Sequence, residues 1–352
     1  MSNNKLPLML KYRPQTWDQV MEQDAVKQIL NEELQTNNLK HVLQFTGPAG
    51  CGKTTSARIF ANTIEPTKGN IFEINCADHT GVDDIRQLVL DVSRTKPLAG
   101  TYKIFILDEN HMLTVQSQNA LLKIFEEPPA HCIYIMCTTD PQKVLPTIMS
   151  RAFRYDFQLI SQKGIVDRLN YILETEKNLG EDGCGVLGWE EAAVELIAQS
   201  AGGHMRNALA TCEKVISYNR NFTVADVTSV LGVTNYNTLF DILDSILQKN
   251  DVMLLNQLEQ LNASGMDLKL FIKNFLTFVL DINKYVILKT ETGTGSVSTI
   301  PPSFNNRLAN YNNSIKPQLR GLLKTLLELN SSIRWETNVK PVLETNLLLE
   351  VL

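Results

Sequence analysis

Short runs of β-branched and aromatic residues alternate with amphipathic stretches through the first half of the chain. His41 to Phe45 (HVLQF), Ile71 to Asn75 (IFEIN), Lys103 to Asp108 (KIFILD), Cys132 to Thr139 (CIYIMCTT) and Phe153 to Phe157 (FRYDF) read as strands. The segments between them are long enough for crossover helices, so the pattern predicts an α/β domain with a parallel sheet covered on both faces. Beyond about Leu159 the β-rich runs stop. EEAAVELIAQSAGG places Ala192, Val194, Leu196 and Ile197 at helical spacing before a stop at Gly202 and Gly203, and a small all-helical domain is expected there. From about Thr234 a third region reads as a helical bundle, with LFDILDSILQKND, LKLFIKNFLTFVLDINKYVILK and LRGLLKTLLELNSSIRW as long amphipathic or buried helices. The expected organisation is three domains: 1–160, 161–232 and 233–352. Thr290 to Asn306, rich in Thr, Ser, Gly and Pro, reads as a mobile loop rather than an element. No internal repeat is evident.

A length of 352 residues agrees with two to three domains and rules out a single small module. Hydrophobic residues make up 43% and charged residues 20%, an ordinary globular balance. No apolar run approaches the roughly 18 residues of a membrane helix, and the opening MSNNKLPLMLKYRPQTW has only a short apolar patch containing Pro7, so a cytoplasmic protein without membrane contact is expected. The six cysteines lie far apart with no CxxC pair, which argues against a disulfide framework or a zinc site and for reduced, buried thiols. A formal charge of −5 excludes a coat of positive charge but not a local basic face turned toward nucleic acid.

The strongest chemical signal is GPAGCGKT, Gly47 to Thr54, which fits the phosphate-binding pattern GxxxxGK[ST]. Its context sharpens the reading, because an apolar strand ends at Phe45 and the helix-forming run TTSARIFANT follows. Backbone amides of Gly47, Pro48 (carbonyl only), Ala49, Gly50, Cys51 and Gly52 can form a cradle that glycine makes sterically possible. Lys53 is placed to reach the β and γ phosphates and the Thr54 hydroxyl to hold Mg²⁺, with Thr55 next in the helix.

KIFILDENH ends a buried strand in two adjacent carboxylates, Asp108 and Glu109, where open α/β sheets bind ligands. Beside a phosphate loop, Asp108 would hold the metal through Thr54 and water, and Glu109 would orient and polarise an attacking water. That pairing implies hydrolysis rather than binding alone. Thr138 ends the fourth strand, where its hydroxyl can touch the γ phosphate or the lytic water, or simply finish the strand. Arg151 in MSRAF and Arg206 in GGHMRNAL are not singled out by spacing, since a lone arginine is usually solvated or salt-bridged.

YRPQTWDQV, GPAGCGKTT, LDENHML, NALLKIFEEPPAH, TTDPQKVLPTIMSR and GGHMRNAL together resemble the ATPase subunit of the DNA sliding-clamp loader, of the bacterial DNA polymerase III gamma/tau type. The resemblance covers roughly residues 6 to 232; the third region resembles that family's collar only in position and helical character. It implies an AAA+ P-loop ATPase with a helical lid and a collar, working with other subunits in a ring-like pentamer. Such a ring uses ATP and Mg²⁺ to open a sliding clamp and place it on primer-template DNA for a DNA polymerase holoenzyme. It supports phosphate-loop contacts from Gly47 to Thr54, metal and water roles for Asp108 and Glu109, and a sensor role for Thr138. It also implies that Arg206 senses the γ phosphate in cis, that Arg151 is the finger completing a neighbouring subunit's site, and that Tyr12, Arg13 and Pro14 pack near the adenine. DNA contact would follow the phosphate backbone, with the helix start around Thr80 to Arg86 as the candidate.

Departures from the family pattern carry expectations of their own. Only NTIEPTKGNI separates the phosphate-loop helix from the next strand, without the four cysteines of the family's zinc module, so no structural zinc is expected. Asn110 stands where the family has a small or apolar residue, and Ala152 replaces the cysteine after the finger arginine. The chain stops after the collar-like region, so the long tail of the tau form is expected to be absent. The rival reading is a nucleotide-binding scaffold subunit of a replication assembly; the complete set of Lys53, Thr54, Asp108, Glu109, Arg151 and Arg206 favours the motor.

Overall fold

A computed structural model describes residues 6–67, 69–180, 183–232, 236–263, 266–292, 300, 304–333, 336 and 338–351. The chain separates into two compact units between Phe222 and Thr223.

In the first unit, β1 (Val42–Thr46), β2 (Ile71–Asn75), β3 (Lys103–Asp108), β4 (Cys132–Thr138) and β5 (Phe153–Asp156) form a sheet in the order β2-β3-β4-β1-β5. Every pairing in it is parallel. The expected strands all form, with ends shifted by one residue at β1, β4 and β5. Alternate residues enter two separate cores, as a sheet covered on both faces requires. Leu43, Phe45, Ile104, Ile106, Ile133 and Ile135 pack with Leu30 and Phe60 on one side. Phe105, Leu107, Tyr134 and Met136 pack with Ile85, Leu121 and Phe125 on the other.

The helices of this part are α1 (Leu8–Lys11), α2 (Asp24–Thr36), α3 (Lys53–Ile64), α4 (Val82–Ile85, continued by a π-helical stretch Arg86–Asp91), α5 (Val115–Glu126) and α6 (Pro146–Met149). Thr114 caps α5 by accepting from the Ser117 amide at 3.2 Å. Before α2, Glu22 and Gln23 both adopt left-handed backbone, at φ 51° and 57°. Their side chains hold the connection from β5 onward: Gln23 donates to the Gln158 carbonyl at 2.8 Å and accepts from the Gln158 amide at 3.0 Å. Glu22 accepts from the Ser161 amide at 3.1 Å and also from its hydroxyl.

After that connection come α7 (Gln162–Asn178), α8 (Glu191–Ser200) and α9 (Met205–Tyr218). The expectation of an all-helical segment needs one correction: Gly188–Trp189 (β6) and Asn221–Phe222 (β7) pair in parallel and tie the α8 entry to the α9 exit. Runs this short carry too little alternation to be seen in sequence. Gly202 and Gly203, at φ 57° and 87°, end α8 as anticipated.

The second unit holds α10 (Val224–Leu231), α11 (Tyr236–Leu247), α12 (Asp251–Ala263), α13 (Leu268–Thr292), α14 (Asn305–Leu308), α15 (Lys316–Ser332) and α16 (Val339–Val351). Thr223 and Asp226 form a capping box on α10. Phe240, Phe271, Phe275, Leu319, Leu326 and Leu347 belong to one continuous core. Arg307 binds Asp241 at 2.8 Å and Asp244 at 2.7 Å while its guanidinium lies 4.7 Å from the Phe240 ring centroid. The expected loop at Thr290 to Asn306 is shorter than anticipated, since α13 runs to Thr292 and α14 starts at Asn305; residues 293–299 and 301–303 lie outside the described residues. Among the described residues no helix is long and apolar enough to cross a membrane.

Candidate nucleotide site

Three neighbouring strand ends build the site. β1 runs into the loop Gly47–Gly52, at whose end α3 starts on Lys53; β3 stops at Asp108, and β4 at Thr138. Gly47 has φ +146°, and the Phe157 carbonyl occupies the place a Cβ would take, because the Phe157 amide donates to the Thr46 carbonyl at 2.7 Å. Only glycine fits under that crossing chain. Gly50 and Gly52, at φ 70° and 105°, turn the loop into the helix.

Lys53 is 6% exposed, and its ammonium donates to the Gly47 carbonyl at 2.8 Å and the Pro48 carbonyl at 2.7 Å. The loop thus satisfies its own buried cation. The Thr54 hydroxyl lies 2.9 and 3.0 Å from the two Asp108 carboxylate oxygens. Burial pushes the Asp108 carboxyl up, the Thr54 bond opposes that, and the neighbouring Glu109 charge adds to it. A cation bridging Thr54 and Asp108 would relieve this crowding of negative charge, so the donor set fits the Mg²⁺ implied by the loop. Burial likewise pushes the Cys51 thiol up, which leaves it a neutral packing group inside the loop. All six cysteines are free; five are buried, and Cys184 is half-buried.

Glu109 sits in left-handed backbone at φ 51°, the kind of strain found where structure serves a site. Its carboxylate accepts from the Thr139 hydroxyl at 3.2 Å and lies 3.4 Å from His111 Nδ1. Asn110, unusual for its position, is accounted for: it exchanges hydrogen bonds of 3.2 and 3.3 Å with the buried Gln44 on β1.

A cavity of about 860 Å³ collects these groups. Its lining combines polar groups, Lys53, Thr54, Thr55, Glu73, Asp108 and Glu109, with apolar ones, Leu10, Pro14, Val20, Ile160, Met205 and Leu209. Tyr12, Arg13, Arg206 and the loop residues Ala49, Gly50, Cys51 and Gly52 also line it. Burial, with Arg58 and Arg206 nearby, lowers the Arg13 guanidinium, against the opposing charges of Glu73 and Asp108.

Gly47, Pro48, Thr138 and Arg151 do not line the cavity. Gly47 and Pro48 act through the carbonyls that hold Lys53. Thr138 is fully buried, 3.0 Å from His111 Nδ1 and accepting from the Asp140 amide at 3.0 Å, so that Thr139, not Thr138, reaches Glu109. Arg151 points elsewhere: it donates to the Thr147 carbonyl at 2.6 Å and pairs with Glu126.

Sequence reasoning missed His111, Thr139, Glu73 and Arg168. The first two were legible as polar neighbours of Glu109 and Thr138; Arg168, on an amphipathic helix, had no local signal.

The parallel sheet, phosphate loop and apposed acidic strand end define a P-loop nucleotide-binding fold of the AAA+ class. The solved structure of the Thermotoga maritima RuvB Holliday junction branch migration motor shares that fold, at 19% identity and a TM-score of 0.51 over 76% of this chain and 91% of that one. Residues 71–161 match the family model described as DNA polymerase III, delta subunit, and residues 222–347 match DNA polymerase III subunits gamma and tau domain III. The Bacillus subtilis DNA polymerase III subunit tau is 35% identical over 308 residues, 81% of this chain and 52% of that protein. The Buchnera aphidicola DNA polymerase III subunit gamma is 33% identical over 265 residues, 69% of each. The chain belongs to the DNA polymerase III gamma/tau family. It spans about half the length of several curated relatives it matches.

Proposed function

We propose that this chain is an ATP-hydrolysing motor subunit of a clamp loader, which works with other subunits to open a sliding clamp and load it on primer-template DNA in DNA replication. The observation that carries the reading is the convergence of Lys53, the Thr54 and Asp108 pair, Glu109 and Arg206 on one cavity whose lining also includes apolar side chains. In this reading the sheet domain is 1–160, the lid 161–232 and an oligomerising collar 233–352.

The loop amides of Gly47 to Thr54 and the Lys53 ammonium bind the phosphates of ATP, and Lys53 exchanges its carbonyl partners for phosphate oxygens. Thr54 and Asp108 would hold Mg²⁺, which would supply charge neutralisation at the phosphate oxygens. Glu109 orients a water in line with the γ phosphate, with Thr139 bonded to it; the sensor role expected of Thr138 is not supported by its burial outside the cavity, against His111. Arg206 reads the γ phosphate from the lid, and Tyr12, Arg13 and Pro14 pack along the base. Arg151 acts in trans on a neighbouring subunit's site, where such a finger is worth on the order of 10³ to 10⁵ in rate. Hydrolysis then waits on assembly. DNA contact falls to the helix start around Thr80 to Arg86, through phosphates.

Steady-state ATP hydrolysis by the purified chain, alone and with partner subunits, cognate clamp and primed DNA, tests this. Stimulation that needs both clamp and DNA supports the motor. Turnover indifferent to them supports a scaffold subunit instead.

A further inference from the structure

Tyr12, Arg13 and Pro14 of the segment Lys11 to Pro14 line the cavity, yet the segment's anchors lie on α7. Near the end of α7, Glu176 has a side chain that is 0% exposed, and the Lys11 ammonium stands 2.7 Å from its carboxylate. The Cys184 amide donates to the other carboxylate oxygen. A buried charge requires such partners. Burial tends to raise the Glu176 carboxyl, but these donors outweigh it and hold the group below the usual carboxylate range.

Eight residues earlier, on the same face and about 12 Å along the axis, Arg168 donates from Nη2 to the Tyr12 carbonyl at 3.0 Å. Its guanidinium lies 5.3 Å from the Tyr171 ring centroid. The short helix α1, just before the strap, packs on α9, the helix that carries Arg206. Of the groups lining the cavity, Asp108 ends β3 and Lys53 and Thr54 start α3, whereas Leu10 lies on α1, Pro14 on the strap, and Met205 and Leu209 on α9.

We infer that Arg168 and Glu176 are positioning residues that make the Lys11 to Pro14 strap part of the helical subdomain, so that the nucleoside half of a bound nucleotide sets where α9 and Arg206 stand. The inference rests on the nucleotide-site reading above. A ligand lacking a nucleoside would engage the sheet-borne groups without recruiting the strap. Tyr12 contributes its backbone carbonyl to Arg168, and its side chain stands with Lys11 among the groups that hold the Glu176 carboxyl down.

Calorimetry of the full chain with Mg²⁺ and either ATP or inorganic tripolyphosphate tests this. Arg168→Met and Lys11→Met are each expected to weaken ATP binding about tenfold, the equivalent of one charge-assisted hydrogen bond, with tripolyphosphate affinity kept within about twofold of the parent. Arg168→Lys, which keeps a cationic donor, should recover most of the ATP affinity. Equal weakening of both probes, or of neither, overturns the inference. Lys11 lies at the surface end of the pair, so its variant remains informative even where a change at the buried Glu176 unfolds the subdomain. Lys53→Met separates the two readings: it should abolish both probes, and parental binding by that variant would sink the nucleotide-site assignment itself.

Discussion

Replacing Glu65 by glutamine should destabilise the sheet domain without touching the cavity. Glu65 follows the last turn of α3 and is 2% exposed. Its carboxylate accepts from the amides of Thr67 at 3.1 Å, Thr101 at 2.6 Å and Tyr102 at 2.8 Å. These donors belong to the loops that enter β2 and β3, at the edge of the sheet opposite the phosphate loop. Burial works against the charge, but the Thr67 side chain and the three amides outweigh it and hold the carboxyl at about 2 instead of 4.5. Glutamine keeps the shape, removes the charge and turns one acceptor into an NH₂ group facing N–H donors. With charge-assisted bonds worth about 1.5 to 3 kcal/mol and neutral ones about 0.5 to 1.5, three weakened bonds amount to roughly 3 kcal/mol, a large part of a domain's 5 to 15 kcal/mol or so. Because the folded pKa is depressed, this stabilisation is complete above pH 4.5 and is lost as pH falls through about 2. The parent and Glu65→Gln should therefore differ most at neutral pH and converge in acid. Native-state hydrogen exchange of the β3 amides in dilute urea reads global opening of the sheet directly. A difference below about 1 kcal/mol at pH 7, less than a single charge-assisted bond, or one that does not shrink between pH 5 and pH 3, would refute the reasoning.

Gly47→Ala should cost about 2 to 4 kcal/mol, from left-handed strain plus the collision with the Phe157 carbonyl, measured by the same exchange experiment. Thr54→Val removes the hydroxyl that faces Asp108, and nucleotide affinity with Mg²⁺ should fall about tenfold or more while Mg²⁺-free affinity stays near the parent's; equal affinities in calorimetry with Mg²⁺ would dissociate Thr54 from the metal. Arg151→Ala should leave nucleotide affinity unchanged and abolish stimulated turnover in the assembled complex, and native turnover there would end the finger assignment. Glu109→Gln should retain ATP and clamp together in a stalled complex, detectable by co-elution; loss of ATP binding would make Glu109 structural.

The strands were legible because both faces of the sheet are buried, which turns KIFILD and CIYIMCTT into continuous apolar runs that nothing else in the chain imitates. The phosphate loop was legible because its chemistry is local, packed into eight consecutive residues. Non-local polar pairings were not. The Gln44 and Asn110 exchange joins residues 66 apart, and neither residue has a periodicity to announce it. Arg168 carries an ordinary helical pattern, and only the fold brings its guanidinium to the Tyr12 carbonyl. The β6 and β7 pair is set by where α8 and α9 start and stop, not by strand propensity in Gly188 or Asn221.

The clasp formed by Glu22 and Gln23 on the stretch between β5 and α7 reads mostly backbone: Gln23 binds the amide and carbonyl of Gln158, and Glu22 the amide of Ser161 together with its hydroxyl. Spelling at 158 is therefore nearly free, whereas Ile160, buried in the cavity wall, is not, and neither is the spacing. One residue inserted or deleted there would put all of these partners out of register together and shift the start of α7 against the sheet. Drift in a lineage of such chains should accordingly leave position 158 variable in composition and the stretch fixed in length, and an engineer seeking a place for an added peptide should avoid it however exposed it looks.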